Sequence, residues 1–397
     1  MMQFPDGFLW GATLSSYQAE GDNISSDWQG AGAAARHYEL YRQDFDLAKQ
    51  LNHNAHRLSI EWSRIEPEAG KFSEQEINHY IEVIDSLRAG SIEPVVTLHH
   101  FTNPLWFSHT GGWLNPKAPE YFSRYAQKIV DALAGKVKFW ITINEPLVYV
   151  YHSYILGVWP PHKKSFFKAK KVTKNLLCAH TKAYKLIHSI YKSLGLESCM
   201  VSIAKNLQSF VPCNLSFKNR LAVYLRNKLY NFDPLEKLIR QRSLDFIGVN
   251  YYTRNLIDVT GWSLTSLLIE TCKNNHSSLK KNSLGWDIYP QGLYELLMRL
   301  NKYRLPIFIT ENGICTDDDS LRKEFIHQHL KQVYLAIQQG VKVLGYLYWS
   351  LLDNYEWDKG FGPRFGIIEV DYTTYKRRVR ESAKFFAEVI KSGSLKE

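Results

Sequence analysis

Two glutamates far apart in the chain each close a short apolar run: Glu145 in Thr142-Ile143-Asn144-Glu145-Pro146, and Glu311 in Ile309-Thr310-Glu311-Asn312-Gly313. Two carboxyl groups facing one another across a cavity can cleave an acetal. One, protonated, gives its proton to the leaving oxygen, while the other attacks the anomeric carbon or activates water. That division of labour needs unequal environments. Glu145 follows Trp140, Ile141 and Ile143 and precedes Pro146, an apolar setting that raises a carboxyl pKa and keeps its proton. Glu311 would lie near Arg57 and the Tyr252 hydroxyl, and a cation with a hydrogen bond holds a carboxylate ionised. Glu145 is therefore expected to be the acid and Glu311 the nucleophile.

A Glu taken at random is a surface residue, so the expectation rests on where the elements place these two. Eight short runs rich in Val, Ile, Leu and aromatics, at 8–13, 55–60, 94–99, 139–144, 200–204, 246–250, 306–310 and 343–349, alternate with amphipathic stretches. The helical spacing covers 38–51, 74–88, 119–133, 172–194, 291–301, 320–339 and 374–390, and the fifth crossover, 208–243, is the least clear. This alternation predicts a (β/α)8 barrel, because parallel neighbours need right-handed crossovers and eight tilted strands close without an edge. No linker or low-complexity tract interrupts it, so residues 1–397 are expected to form one catalytic domain.

Barrel enzymes carry their chemistry at the C-terminal ends of the strands, and polar residues collect there. Gln18 and Glu20 follow strand 1, Arg57 sits in strand 2, His99 and His100 close strand 3, and Asn144-Glu145 close strand 4. Asn250-Tyr251-Tyr252 close strand 6, Glu311-Asn312 close strand 7, and Trp349 with Glu356-Trp357 follow strand 8. A saccharide offers equatorial hydroxyls and apolar C–H faces. Gln18, His100, Asn144 and Glu356 suit the former, and Trp349, Trp357, Phe101 and Trp286 the latter. Trp10, Trp28, Trp62 and Trp140 are assigned to core or loop packing, and His56, His79 and His188 to packed or exposed positions.

The chain of 397 residues is 45% apolar and 22% charged, which excludes a disordered protein. Its net charge of +10 is dispersed over short clusters such as Lys163-Lys164, Lys280-Lys281 and Tyr375-Lys376-Arg377-Arg378. These read as solvated faces, so no nucleic-acid partner is expected. Five scattered cysteines without Cys-x-x-Cys or Cys/His spacing indicate neither a disulfide frame nor a metal site. With no apolar run of about 18 residues and no basic-then-apolar start, a soluble cytoplasmic protein with no membrane partner is expected.

Four motifs, in order along the whole chain, carry a family likeness. They are Phe8-Leu9-Trp10-Gly11-Ala12-Thr13 through Tyr17-Gln18-Ala19-Glu20-Gly21; Thr142-Ile143-Asn144-Glu145-Pro146; Ile309-Thr310-Glu311-Asn312-Gly313; and Tyr348-Trp349-Ser350-Leu351-Leu352-Asp353-Asn354-Tyr355-Glu356-Trp357. The chain resembles the family 1 glycoside hydrolases, the β-glucosidase family. The resemblance implies that Glu145 is the acid/base and Glu311 the nucleophile of a retaining mechanism through a covalent glycosyl-enzyme. It further implies that Gln18, His100, Asn144, Glu356 and Trp357 hold the non-reducing sugar and that Tyr252 contacts the nucleophile. Trp349 would lie under the ring and Trp286 at the leaving-group subsite. The substrate class implied is a small-molecule β-glucoside, with β-galactosides and β-fucosides as neighbours, and no metal or organic cofactor is called for.

Members acting on 6-phosphorylated sugars carry Ser where Glu356 stands, then a Lys and a Tyr where this chain has Pro363 and Phe365. A phosphate dianion would be repelled by Glu356, so an unphosphorylated sugar is favoured. Glu145 also argues against the thioglucosidase branch, which has Gln there. Familiar members are longer, and the missing residues are expected in rim loops at 28–38, 208–243 and 262–284, opening the leaving-group side. Phe101-Thr102-Asn103-Pro104 replaces the usual Trp-Asp-Leu-Pro, which predicts a looser pocket wall. The competing expectations are a carbohydrate-binding barrel without turnover, a 6-phospho-β-glycosidase, and transfer to sugar or alcohol acceptors in place of hydrolysis.

Overall fold

A computed structural model of the chain describes residues 1–272 and 277–396. Residues 273–276, within the expected shortened loop 262–284, lie outside the described residues. Eight parallel strands close into a barrel: β1 Leu9–Thr13, β2 Ala55–Ser59, β3 Glu93–Thr97, β4 Phe139–Asn144, β5 Met200–Asn206, β6 Ile247–Tyr251, β7 Ile307–Asn312 and β8 Val343–Trp349. Each lies within two residues of its expected position. The barrel closes where β8 pairs with β1, Leu347 opposite Gly11.

Helices α1 His37–Gln50, α2 Glu74–Ala89, α3 Ala118–Leu133, α4 Phe166–Ser193, α5 Asp233–Arg240, α6 Pro290–Leu300, α7 Asp319–Gln338 and α8 Glu381–Ser392 follow the strands in turn. Several starts are written locally. Ser73 caps α2 by accepting from the Glu76 N–H at 3.3 Å, and Glu74 and Glu76 sit in its first turn. Asp318 caps α7 by accepting from the Ser320 and Leu321 amides at 2.9 and 3.1 Å. No described helix is long and apolar enough to cross a membrane.

One expectation is corrected and one open segment is filled in. The helix expected at 374–390 begins at Glu381, because Arg377–Val379 pairs antiparallel with Ile368–Val370 after the 371–374 turn. Arg377 is held there by Asp44, with Nε–Oδ1 at 2.7 Å. The unclear fifth crossover contains a strand, Ser209–Pro212, paired in parallel with Arg254–Ile257 outside the barrel, then a helix Phe217–Arg226 and α5.

Inside the barrel, Ala55, Val95, Phe139, Ile141, Ala204, Phe246, Phe308 and Leu347 form a buried apolar plug. Successive side chains alternate across a strand. Two residues beyond the plug the inward positions therefore fall on Arg57, Thr97, Asn206 and Trp349, where the interior turns polar. Trp10, Trp28, Trp62 and Trp140 are buried in the surrounding main core. His56 is buried, and His188 pairs with Asp245 at 2.8 Å.

Candidate active site

Above the plug lies a cavity of about 510 Å³ lined by Gln18, His100, Asn144, Glu145, Tyr252, Trp286, Glu311, Trp349, Glu356 and Trp357. These ten, all singled out in the sequence, line one cavity together with Phe101. Arg57 is buried beneath it and fastens its floor. Its guanidinium donates to Glu311 Oε1 at 2.6 Å, Asn144 Oδ1 at 2.8 Å and Thr97 Oγ1 at 2.9 Å.

The two glutamates reach the cavity by different backbone devices. The ladders flanking β7 shift register after Ile309, and the β4–β5 ladder shifts between Ile141 and Asn144. An extra residue in a ladder reverses which side chain faces inward. Strict alternation from Phe308 and Ile141 would carry Glu311 and Asn144 outward. Glu145 itself stands at φ 42°, before the short helix Pro146–Val150, with its amide bonded to Ala204 O at 2.8 Å.

Their surroundings differ. The Tyr252 hydroxyl donates to Glu311 Oε2 at 2.5 Å, opposite the Arg57 contact. Glu145 Oε1 accepts from the Asn250 and Asn206 amides at 2.9 and 3.1 Å, with no cation in hydrogen-bond contact. Burial, reinforced by the Glu311 charge, pushes Glu145 up to about 7. Burial also raises Glu311 above the ordinary carboxylate value, against the pull of Arg57 and Tyr252. Burial thus works against the two groups expected to keep Glu311 ionised. A single proton shared between the two carboxyls still sits better on Glu145, because removing the charge from Glu311 would forfeit the Arg57 ion pair.

Gln18 Nε2 donates to Tyr355 O at 2.8 Å and to Glu356 Oε2 at 3.3 Å. Asn144 Nδ2 lies 3.1 Å from His100 Nε2. Gln18 Oε1 and His100 Nδ1 are buried without a partner, which is costly unless something in the cavity bonds them. Burial holds His100 far below the ordinary histidine value, hence neutral, and raises Glu356 to about 8. The His100 ring lies near-parallel to those of Trp349 and Trp357, with centroids 5.9 and 6.1 Å away. Trp286 at the mouth is 37% exposed.

The replaced segment after β3 is not the loose wall expected. Phe101 packs on Trp159 and Trp357 at 5.0 and 5.2 Å, Thr102 donates to Glu61 at 2.8 Å, and Asn103 donates to Asp27 at 3.0 Å. Glu20, noted with Gln18 after β1, points elsewhere, to Arg64 at 3.0 Å and Tyr80 at 2.9 Å. Three neighbours of Glu145 went unassigned in the sequence: Asn250, Asn206 and the buried Lys205, whose Nζ lies 3.9 Å from the Tyr230 ring centroid. The signal for Asn206 was a strand end; β5 runs two residues past its expected stop.

Gly313, the last residue of the Glu311 motif, fits because a Cβ there would stand 1.9 Å from Trp349 O. Gly313→Ala is expected to destabilise the fold by about 1–3 kcal/mol, measured by urea unfolding, since the Trp349 backbone must give way.

The family model described as "Glycosyl hydrolase family 1" matches residues 22–233 and 218–394. "Beta-glucosidase A" of Thermotoga maritima is 31% identical over 457 residues, covering all of this chain and 99% of that protein. Among solved structures, the "beta-glycosidase from Pyrococcus horikoshii" superposes with a TM-score of 0.94 at 42% identity, covering 100% of this chain and 96% of that one. The Thermotoga maritima β-glucosidase in complex with deoxynojirimycin gives 0.92 at 30%, covering 100% of both chains. Motif order, barrel and sequence likeness agree: the chain belongs to glycosyl hydrolase family 1.

Proposed function

We propose that the protein is a retaining, exo-acting β-glycosidase that removes terminal non-reducing β-D-glucosyl residues. β-Galactosyl and β-fucosyl residues fall within the same site chemistry. The observation that carries this reading is the unequal pair in one cavity, Glu311 ion-paired to Arg57 and Glu145 free of cation contact with its carboxyl pushed up to about 7. Glu311 attacks the anomeric carbon while the bond to the leaving oxygen breaks and that oxygen takes the Glu145 proton. Water then attacks the glycosyl ester, giving its proton back to Glu145 and freeing Glu311. Gln18 Oε1 accepts from a sugar hydroxyl, His100 Nδ1–H donates to one, and Trp349 packs beneath the ring. The "Beta-glucosidase A" relative supports glucose as the sugar. A cytoplasmic setting fits five scattered cysteines with no Cys-x-x-Cys spacing.

The test is hydrolysis of ethyl β-glucoside, whose alkoxide leaving group needs a proton, followed across pH. Glu145 must hold its proton to start the reaction, so kcat/KM is expected to fall as pH rises through about 7. It should fall again at low pH as Glu311 is protonated. Absence of turnover, or a rate that stays level from pH 6 to 9, overturns the assignment.

A further inference from the structure

Beside the catalytic cavity, and sharing Val148, His152, Gln208, Asn255 and Thr271 with it, lies a second hollow of about 1110 Å³. It is at the upper end of small-molecule sites, which run to about 1,000 Å³. Its walls are chiefly hydrocarbon, with Leu147, Ile155, Phe166, Leu229, Leu264 and Leu268 among them. Phe167, Leu264 and Leu229 are 91, 59 and 45% exposed, an unusual cost for side chains with nothing to cover. The wall is built, not loose. Buried Arg226 donates to Leu267 O at 2.9 Å, Ser266 O at 3.3 Å and Glu270 O at 2.5 Å, tying the helix Leu264–Ile269 to the helix Phe217–Arg226.

The hollow opens on one particular side of the reaction. Val148 is on the short helix that Glu145 precedes, and Gln208 follows β5 two residues after Asn206, which bonds Glu145. That is the side of the proton donor, where the departing alcohol sits. Gln18 and Glu356, which hold the sugar in the proposed function, do not line the hollow. We infer that this groove is an aglycone site for a long alkyl or acyl chain, making amphiphilic β-glycosides such as alkyl glucosides and glycolipids the favoured substrates. The inference rests on the proposed hydrolysis. The continuity of groove and cavity commits the occupant to the tail of the bound substrate, since a glycoside seated for protonation by Glu145 directs its aglycone there.

A tail remote from the reacting carbon binds equally in ground and transition states, so its effect appears in KM. Each methylene withdrawn from water should raise kcat/KM by up to about fourfold. Across ethyl, butyl, hexyl and octyl β-glucosides, kept below micellar concentrations, octyl should exceed ethyl by about tenfold or more with kcat nearly constant. In Leu229→Asp and Leu264→Asp, both at exposed positions, that ratio should fall toward one. Variant folding is checked by circular dichroism. A wild-type ratio near one, an undiminished ratio in folded variants, or vesicle binding without chain-length dependence overturns the inference. If neither ethyl nor nitrophenyl β-glucoside is cleaved, the proposed function fails instead. The groove is then judged by calorimetry: octyl glucoside binding wild type no better than ethyl, or equally well in the variants, overturns it.

Discussion

Glu311→Ala is expected to lower kcat/KM on nitrophenyl β-glucoside by about 10⁴- to 10⁶-fold, the scale on which enzymes lose a nucleophile or its activating partner. The side chain is nearly fully buried between Arg57 and Tyr252, so no water or neighbouring carboxylate can take its place in line with the anomeric carbon. The cut side chain leaves room for a small anion beside the Arg57 guanidinium. Azide should restore turnover by attacking the anomeric carbon from the vacated face, giving the α-glycosyl azide. Glu145→Ala should behave differently. Nitrophenolate leaves without a proton, so the glycosyl-enzyme still forms, and azide intercepts it to give the β-glycosyl azide. The product anomers, read by proton NMR, separate the roles. The same anomer from both variants, or wild-type rates in Glu311→Ala, would refute the assignment.

Arg57→Met is expected to be damaging too, through a charge that never reaches substrate. Arg57 holds Glu311, Asn144 and Thr97 at once in a site closed to water. Removing one partner of such a pair costs about 3–5 kcal/mol while the other charge stays. The cheaper escape is for Glu311 to take up a proton, since burial already pushes it upward. A protonated Glu311 cannot attack. Activity at neutral pH should therefore fall by about 10²-fold or more, and the acid limb of kcat/KM should move to higher pH. A purely structural role would lower the unfolding midpoint and leave that limb in place. Arg57→Lys keeps the charge but loses the fork that reaches Glu311 and Asn144 together, and should recover only part of the rate.

Much of this protein was legible in its sequence because the signals are local. Short apolar runs alternating with amphipathic stretches specify strands and helices through side-chain periodicity, and eight repeats of that alternation close a barrel. The motif residues around Glu145, Glu311 and Glu356 stand at strand ends, which brings them to one rim wherever the loops run. The end of the chain was less legible. The segment 374–390 has helical spacing, yet its first part pairs as a strand because Arg377 is captured by Asp44, a partner far away in sequence.

Other features needed the third dimension. Alternation alone would turn Glu311 and Asn144 away from the barrel interior. Register shifts in β7 and β4 bring them in, and such shifts depend on how neighbouring strands hydrogen-bond. The protonation of Glu145 follows from its burial and from the facing charge of Glu311, neither of which is adjacent in sequence. The apolar groove is assembled from the Pro146–Val150 region, α4, the fifth crossover and the Leu264–Ile269 helix. Sequence therefore determined which residues could do the chemistry and which elements carry them. Tertiary structure decided which way they face, how much water they see, and what lies beside them, because register, desolvation and cavity shape arise between segments and not within them.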